Sequence, residues 1–374
     1  MAVYTVLLIW VMVCNVLQKA NIRIANNVYI NGKTLYLFFA FFAIWAVMTF
    51  RDISIGTDTY AYTQYFAYIA TSNSLVDAVE IDFISGNIFK GLAYIFGKIS
   101  YSPQFYIFWT SSIIIFGVSI YIYRTSKWVM VSTFLFLTLN LFFISMNTGR
   151  QWMAIGLALN ALISLYYDSK SKLGWGLFVI AFGIHNAIVS FFPTFLGMFI
   201  VKRFGLTKKI CIETIAITII GITLFSGFIV LFSSYFPHYA MYINSNTEDN
   251  FLEDTGGGKI IIEYLAFLII LLMYFIIRKF DITQLKNNIL IDAMIPGAIF
   301  CVIVGIIFFK NNLVNRILLP YQCLFLSIIP YVFSRFDAKS RFLLYLILFI
   351  GMFGSYYLWI NSNLGNILPY RTSF

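Results

Sequence analysis

Charge is what this sequence has least of. Asp, Glu, Lys and Arg make up 11% of its 374 residues, against 61% hydrophobic and 20% aromatic. Soluble domains carry roughly 25% charged residues. A globular enzyme with a membrane anchor is therefore excluded, and the chain reads as an integral membrane protein with no soluble domain. Cysteine is also sparse: Cys14, Cys211, Cys301 and Cys323 lie singly in apolar segments, with no CxxC spacing. Neither a disulfide framework nor a zinc site is suggested. The opening MAVYTVLLIWVMVCNVL lacks the basic start and small-residue cleavage site of a secretory signal, so a retained first helix is expected. Gly256-Gly257-Gly258 lacks the GK[ST] ending and the preceding strand of a phosphate loop, and reads as a hinge or lid.

What is present is a succession of apolar segments of membrane-crossing character. They lie near Ala2–Leu17, Leu35–Phe50, Phe105–Tyr123, Val129–Met146, Trp152–Tyr167, Leu173–Ile184, Ala187–Val201, Ile212–Phe232, Ile260–Ile277, Ile289–Phe309, Ile317–Phe333 and Phe342–Ile360. The pair around His185 is short enough to be one kinked element. Phe83–Lys98 is ambiguous, because it has helical periodicity but carries Asn87, Lys90 and Lys98.

The loop charges decide that case. If Phe83–Lys98 does not span, one face collects Lys19, Arg23, Lys33, Arg124, Lys127, Lys170, Lys172, Lys202, Arg203, Lys208, Lys209, Arg278, Lys279, Lys286, Arg335, Lys339 and Arg341. That is 17 of the 25 Lys and Arg, leaving 8 opposite, while the acids divide 5 against 10. If it does span, the first two clusters oppose the rest. The positive-inside rule favours the first arrangement. The expectation is a single integral membrane domain over 1–374, an all-α polytopic protein of about twelve transmembrane helices. Both termini lie outside, and short interfacial or re-entrant helices sit on the outer face, whose main loops are 51–103 and 233–259. The net charge of +10 is then a topology signal and not a nucleic-acid footprint.

The outer face receives few cations, each close to a helix end. From Val129 to Tyr167 the apolar run is broken once, by Asn147-Thr148-Gly149-Arg150-Gln151. An arginine held at a bilayer boundary is costly unless something polar or anionic meets it. Arg51, Arg316 and Arg371 have comparable positions. Arginine's planar fork matches phosphate oxygens in a bidentate manner, and helix-end anchoring by snorkelling is the plainer alternative. Arg51 leads into Gly56-Thr57-Asp58, then Thr59-Tyr60 and Tyr62. Asp58 or Thr59 caps a short helix there, whose aromatic residues form an interfacial belt or stack on sugars. Asp58 and Glu80 are the candidate general bases, with Asp82 beside them. His185 breaks an apolar run level with Arg150, and is either a packing residue or a base.

Taken in order, these residues resemble the EpsG family of bacterial polysaccharide biosynthesis proteins, relatives of the Wzy-type O-antigen polymerases. The pattern is Arg51, Gly56-Thr57-Asp58, Tyr62 and Phe66, then Glu80 with Phe83. Asn147, Arg150-Gln151 and Ala154 follow, then His185, Asn315-Arg316 and Pro369-Tyr370. The chain departs from the family at Asn186, usually a small hydroxyl residue, and at Gly149, usually aliphatic.

The resemblance implies an architecture like that of the multi-helix, GT-C-like membrane glycosyltransferases. It implies a polymerase that transfers a glycan chain from undecaprenyl pyrophosphate to a lipid-linked repeat unit at the outer face of a bacterial cytoplasmic membrane. Asp58, Glu80, Arg150 and His185 would be catalytic. Arg51, Thr57, Tyr62, Asn147, Gln151, Asn315, Arg316, Tyr370 and Arg371 would bind substrate. No metal or cofactor is required, because arginines can clamp phosphate. The partners implied are the undecaprenyl-pyrophosphate-linked oligosaccharide, the bilayer and a chain-length regulator protein, with no nucleic acid. Charges at helix ends and the lack of a visible repeat disfavour a lipid-oligosaccharide flippase or transporter. An O-antigen ligase would carry arginines in its late outer loop, and Ser233–Lys259 has none. An acyltransferase centred on His185, or a scaffold subunit of an export complex, is the remaining alternative.

Overall fold

The computed structural model describes residues 1–25, 28–235, 258–280, 289–363 and 365–373. It is helical except for one antiparallel hairpin, Asn21–Ala25 with Val28–Asn31. Among the described residues seven helices are long and apolar enough to cross a membrane, or up to nine if two bent pairs each count as one span. This makes the chain an all-α polytopic membrane protein. The expectation of about twelve spans is not met among the described residues, for reasons of length and polarity. Lys172–Ile184 is a 13-residue helix. Gly149–Tyr167 has the length but carries Arg150, Gln151 and Asn160, and is not among the apolar candidates. Most of the expected outer loop 233–259 lies outside the described residues, including Gly256 and Gly257 of the expected hinge; Gly258 opens a helix, Gly258–Phe280.

The expected single span Val129–Met146 is instead two helices, α7 (Val129–Thr138) and α8 (Leu141–Asn147), bent by 56°. Between them Asn140 adopts the left-handed conformation, φ 61°. Asparagine reaches that region more readily than other non-glycine residues, and an α-helix cannot pass through it. The second bent pair, Asn312–Gln322 with Phe325–Phe333, turns by 52° and carries Pro320 and Pro330 within its helices.

The chain divides into two compact units. The first is Met1–Val189 with Phe336–Phe374, and the second is Ser190–Arg335. In the first unit α1 (Ala2–Val13) and α2 (Gly32–Thr49) precede three short helices, α3 (Thr59–Ala70), α4 (Leu75–Glu80) and α5 (Asn87–Gly97). The last lies within Phe83–Lys98, the ambiguous segment. Its 11 residues rise about 16 Å at ~1.5 Å each, half of a ~30 Å hydrocarbon core. It does not span.

Next come α6 (Pro103–Thr125), α9 (Gly149–Tyr167) and α10 (Lys172–Ile184). Helices α6 and α9 meet at two glycines. A Cβ on Gly117 would stand 3.0 Å from the Gly156 Cα, the small-residue contact that lets membrane helices approach closely. The Asn160 amide seals the crossing by donating to both glycine carbonyls at 2.8 Å. These contacts fix the start of α9 relative to the start of α6, which carry the candidate site between them.

Outward-facing side chains are apolar, as on Phe38, Phe116 and Ile350, each more than 60% exposed. Stripes of this kind fit hydrocarbon better than water.

In the second unit, Asp292 and Arg278 pair at 2.8 Å. The Tyr274 hydroxyl donates to the same carboxylate, and Arg278 also donates to the Leu206 carbonyl at 2.8 Å. A buried acid in an apolar helix is tolerated only when partnered in this way.

Candidate active site

Arg150 stands one residue inside α9. The Thr148 hydroxyl donates back to the Ile144 carbonyl at 3.1 Å and does not cap the helix. The N-cap residue of α9 thus supplies no side-chain acceptor, and a helix start favours anions. Arg150 itself is half-buried. Its guanidinium lies over the Tyr62 ring at 5.1 Å and the Phe89 ring at 5.2 Å, and Nη1 donates to the Ser85 carbonyl at 2.8 Å. Its Nε is buried with no acceptor. Among the described residues it has no carboxylate partner, since the ion pairs there are Lys209–Glu213 and Arg278–Asp292. Two rings and one carbonyl hold this cation in place without neutralising it.

The loop after α2 packs on the same helix end. Gly56 takes φ +100°, and a Cβ there would fall 2.5 Å from the Thr59 hydroxyl and 2.7 Å from the Asn147 amide oxygen. Only glycine suits both the conformation and the space. The Asn147 side chain accepts from the Thr57 amide at 3.0 Å, so it fastens the loop to the end of α8. The Thr57 hydroxyl donates to Asp58 at 3.2 Å. Asp58 stands at the N-cap of α3, but its carboxylate makes no capping bond, and it is half-buried. Thr59 instead anchors the turn, donating to the Ile55 carbonyl at 2.8 Å.

Arg51 is placed differently from Arg150. It is 3% exposed and faces inward. Nη1 donates to the Met48 carbonyl and to Ser111 Oγ at 3.4 Å, and Nη2 donates to the Met146 carbonyl at 3.1 Å. Met48 and Met146 end α2 and α8, so two helix C-termini converge on this cation. Burial pushes its pKa down to about 10, against the opposing pull of Tyr106, Tyr4 and Tyr370. The C-terminal tail pairs with the backbone around Arg51 in an isolated bridge: the Asp52 amide donates to the Arg371 carbonyl at 2.9 Å and the Ser373 amide to the Phe50 carbonyl at 3.1 Å. The Tyr370 hydroxyl donates to the Val47 carbonyl at 3.0 Å, and burial raises its pKa. The Arg371 side chain is exposed.

Glu80 and Asp82 are both exposed. Between them and the core lies Lys90, 5% exposed, whose ammonium donates to the Val79 carbonyl and to the Ile81 carbonyl at 3.0 Å. It closes the C-terminus of α4, and burial lowers its pKa while Asp82 raises it.

His185 is half-buried at the end of α10. The loop that feeds Arg150 its Ser85 carbonyl continues into Gly86, φ +98°, where a Cβ would sit 2.3 Å from the Ile184 carbonyl. His185 follows that contact directly, while Gln151 lies beside Arg150 in the first turn of α9.

The first unit thus brings together Arg150, Gln151, Tyr62, Thr57, Asp58 and Asn147, with Arg51 beneath them. Asn315 and Arg316 belong to the second unit. Asn315 accepts from the Tyr264 hydroxyl at 3.0 Å and donates to the Phe309 carbonyl at 2.8 Å. Sequence reading missed Ser85, Phe89, Tyr106 and Trp109. Tyr106 and Trp109 are one helical turn apart at the start of α6, a spacing that also suits an interfacial aromatic belt. Among the described residues, no three His, Cys, Asp or Glu side chains gather as metal ligands would.

Comparison with family sequence models gives a match to the EpsG family over residues 34–372. No curated protein matches, and no solved structure matches.

Proposed function

The chain belongs to the EpsG family, a family of Wzy-like polymerases, and from that premise we propose that it polymerises a polysaccharide at the outer face of the bacterial cytoplasmic membrane. The donor in this reading is a growing glycan on undecaprenyl pyrophosphate, and the acceptor is a lipid-linked repeat unit. The acceptor hydroxyl attacks the anomeric carbon of the donor, the bond from that carbon to the pyrophosphate oxygen breaks, and the hydroxyl proton passes to a carboxylate. The products are a glycan longer by one unit on the acceptor's carrier, and free undecaprenyl pyrophosphate.

The observation that carries the reading is Arg150, a cation with no carboxylate partner at an uncapped helix start, held between Tyr62 and Phe89. The leaving pyrophosphate gains negative charge in the transition state. A preoriented guanidinium in a partly desolvated site stabilises that charge without reorganising. Asp58 is the favoured base. It precedes Tyr62 by one turn, its carbonyl accepting from the Tyr62 amide at 3.1 Å, and its carboxylate is not spent on a cap. Glu80 is exposed, and its chain neighbours Val79 and Ile81 give their carbonyls to Lys90. His185 is the alternative base or a phosphate contact. Tyr62 and Gln151 would position sugars. Thr57, Asn147, Tyr370 and Arg51 would act by holding the loop and tail in place. Asn315 and Arg316 stand in the second unit, and this reading rests on the first unit alone.

Deleting the gene should leave single lipid-linked repeat units and no long polymer in extracted lipid-linked products. Long chains persisting in the deletion strain would overturn the assignment. The outer-face placement rests on the loop-charge asymmetry. A cysteine placed at Asn311 should react with an impermeant thiol reagent in intact cells, whereas one placed at Lys172 should react only after lysis. The reverse pattern would put the site on the cytoplasmic side.

A further inference from the structure

Tyr106 is a buried hydroxyl with nothing to bond to. It is 3% exposed, and its Oη has no hydrogen-bond partner. Its ring is locked by Phe66 at 5.5 Å and by Trp109 at 5.7 Å, edge on. Trp109 meets Phe89 at 5.9 Å, and Phe89 carries the Arg150 guanidinium. Tyr106 is therefore joined to the cage that holds Arg150 through the rings of Trp109 and Phe89. Arg150, Arg51, Tyr62 and Asp58 all lie within electrostatic reach of it.

Leaving a hydroxyl buried and unpaired is unfavourable, and phenylalanine would fill the same space without that penalty. A group that destabilises the resting protein beside a functional cluster is commonly retained for what it binds. Arg150 and Arg51 act on this hydroxyl, opposed by Tyr62 and Asp58. A neutral phenol is a hydrogen-bond donor for an anionic oxygen that the guanidiniums attract.

Building on the polymerase reading above, we infer that Tyr106 is a direct ligand contact, donating a hydrogen bond to a phosphate oxygen of the pyrophosphate that Arg150 and the N-terminus of α9 receive. Three features then surround one anion: a fixed cation, the start of a 19-residue helix whose N-cap residue makes no capping bond, and a neutral donor on α6. The Gly117–Gly156 contact holds α6 against α9.

The test is Tyr106→Phe, which removes one oxygen and leaves the ring packing intact. The full-length variant should be as abundant in membranes as the parent, with an equal or higher melting temperature. Inorganic pyrophosphate titrated into the detergent-solubilised protein should bind roughly tenfold more weakly, as one lost hydrogen bond to a charged group requires. Polymer in cells should be shortened or lost. Unchanged pyrophosphate affinity in Tyr106→Phe, alongside lost affinity in Arg150→Ala, would overturn the role of Tyr106 and leave the polymerase reading standing. A parent protein that does not bind pyrophosphate at all would overturn the anion site. A parallel titration with phosphatidylglycerol separates the sources of phosphate. If the variant weakens only that arm, Tyr106 serves a structural lipid and the inference fails.

Discussion

Replacing Arg150 by alanine is expected to abolish long polymer while single lipid-linked repeat units accumulate and protein level stays normal. The two halves of that expectation have separate causes. Arg150 contributes little to the fold. Its contacts are two ring faces and one carbonyl, and a cation–π contact is worth about 0.5–2 kcal/mol. It also occupies the positive end of the α9 dipole, where a cation is disfavoured, so its removal relieves some repulsion. Its contribution to catalysis is far larger. Removing one preorganised donor from a developing oxyanion typically costs about 10²–10³ in rate, and a processive polymer amplifies any such loss into missing length. Arg150→Lys should be intermediate at best, because a lysine ammonium lacks both the planar fork and the flat face that Tyr62 and Phe89 enclose. Polymer length on gels, normalised to membrane protein level, measures both variants. Normal long chains in Arg150→Ala would sink the pyrophosphate contact and with it the site proposed here.

How far these features were legible in the sequence depended on whether they were local. Arg150 announced itself as the one charge between two apolar runs, and the structure puts it at a helix start as that position implies. The short helix α3 after Gly56-Thr57-Asp58 was equally readable, although Asp58 stands at its N-cap without making the capping bond. That α5 does not span followed from loop charges. What escaped was non-local. Hydropathy gave Val129–Met146 the weight of one straight span, because a window average cannot register the single left-handed residue Asn140. Tyr106 and Trp109 looked like any aromatic pair in an apolar helix, since their meaning comes from Phe66 and Phe89 on other helices. Arg51 and Arg150 looked alike in sequence, each an arginine at a helix end. Only packing separates them: α2, α8 and the tail close over Arg51, whereas α9 leaves Arg150 half-open.

That difference gives the second large effect. Arg51→Ala is expected to lower the amount of folded protein, with activity falling in proportion to it. The Arg51 guanidinium bonds the terminal carbonyls of α2 and α8 at once, through Met48 and Met146, and its own backbone pairs with Thr372. Alanine leaves the Met48 and Met146 carbonyls only long bonds, from Ser111 at 3.5 Å and from Thr59 at 3.4 Å, a loss of about 1–3 kcal/mol each, and opens a cavity the size of the side chain. The combined loss of several kcal/mol is a large fraction of the ~5–15 kcal/mol that holds a typical domain together. Arg51→Lys should recover little, because one ammonium on a flexible stem cannot hold two carbonyls and Ser111 in the geometry of a planar fork. Heat-dependent loss of the detergent-solubilised protein, followed against Arg150→Ala, separates the two arginines. Arg150→Ala should unfold at the parent's temperature and make no polymer. Arg51→Ala should unfold well below it, with whatever remains folded still active per molecule. An Arg51→Ala protein as heat-stable as the parent, yet silent, would move Arg51 from the scaffold to the substrate. It would also mean that two helix C-termini and a tail strand converge on a cation they do not need.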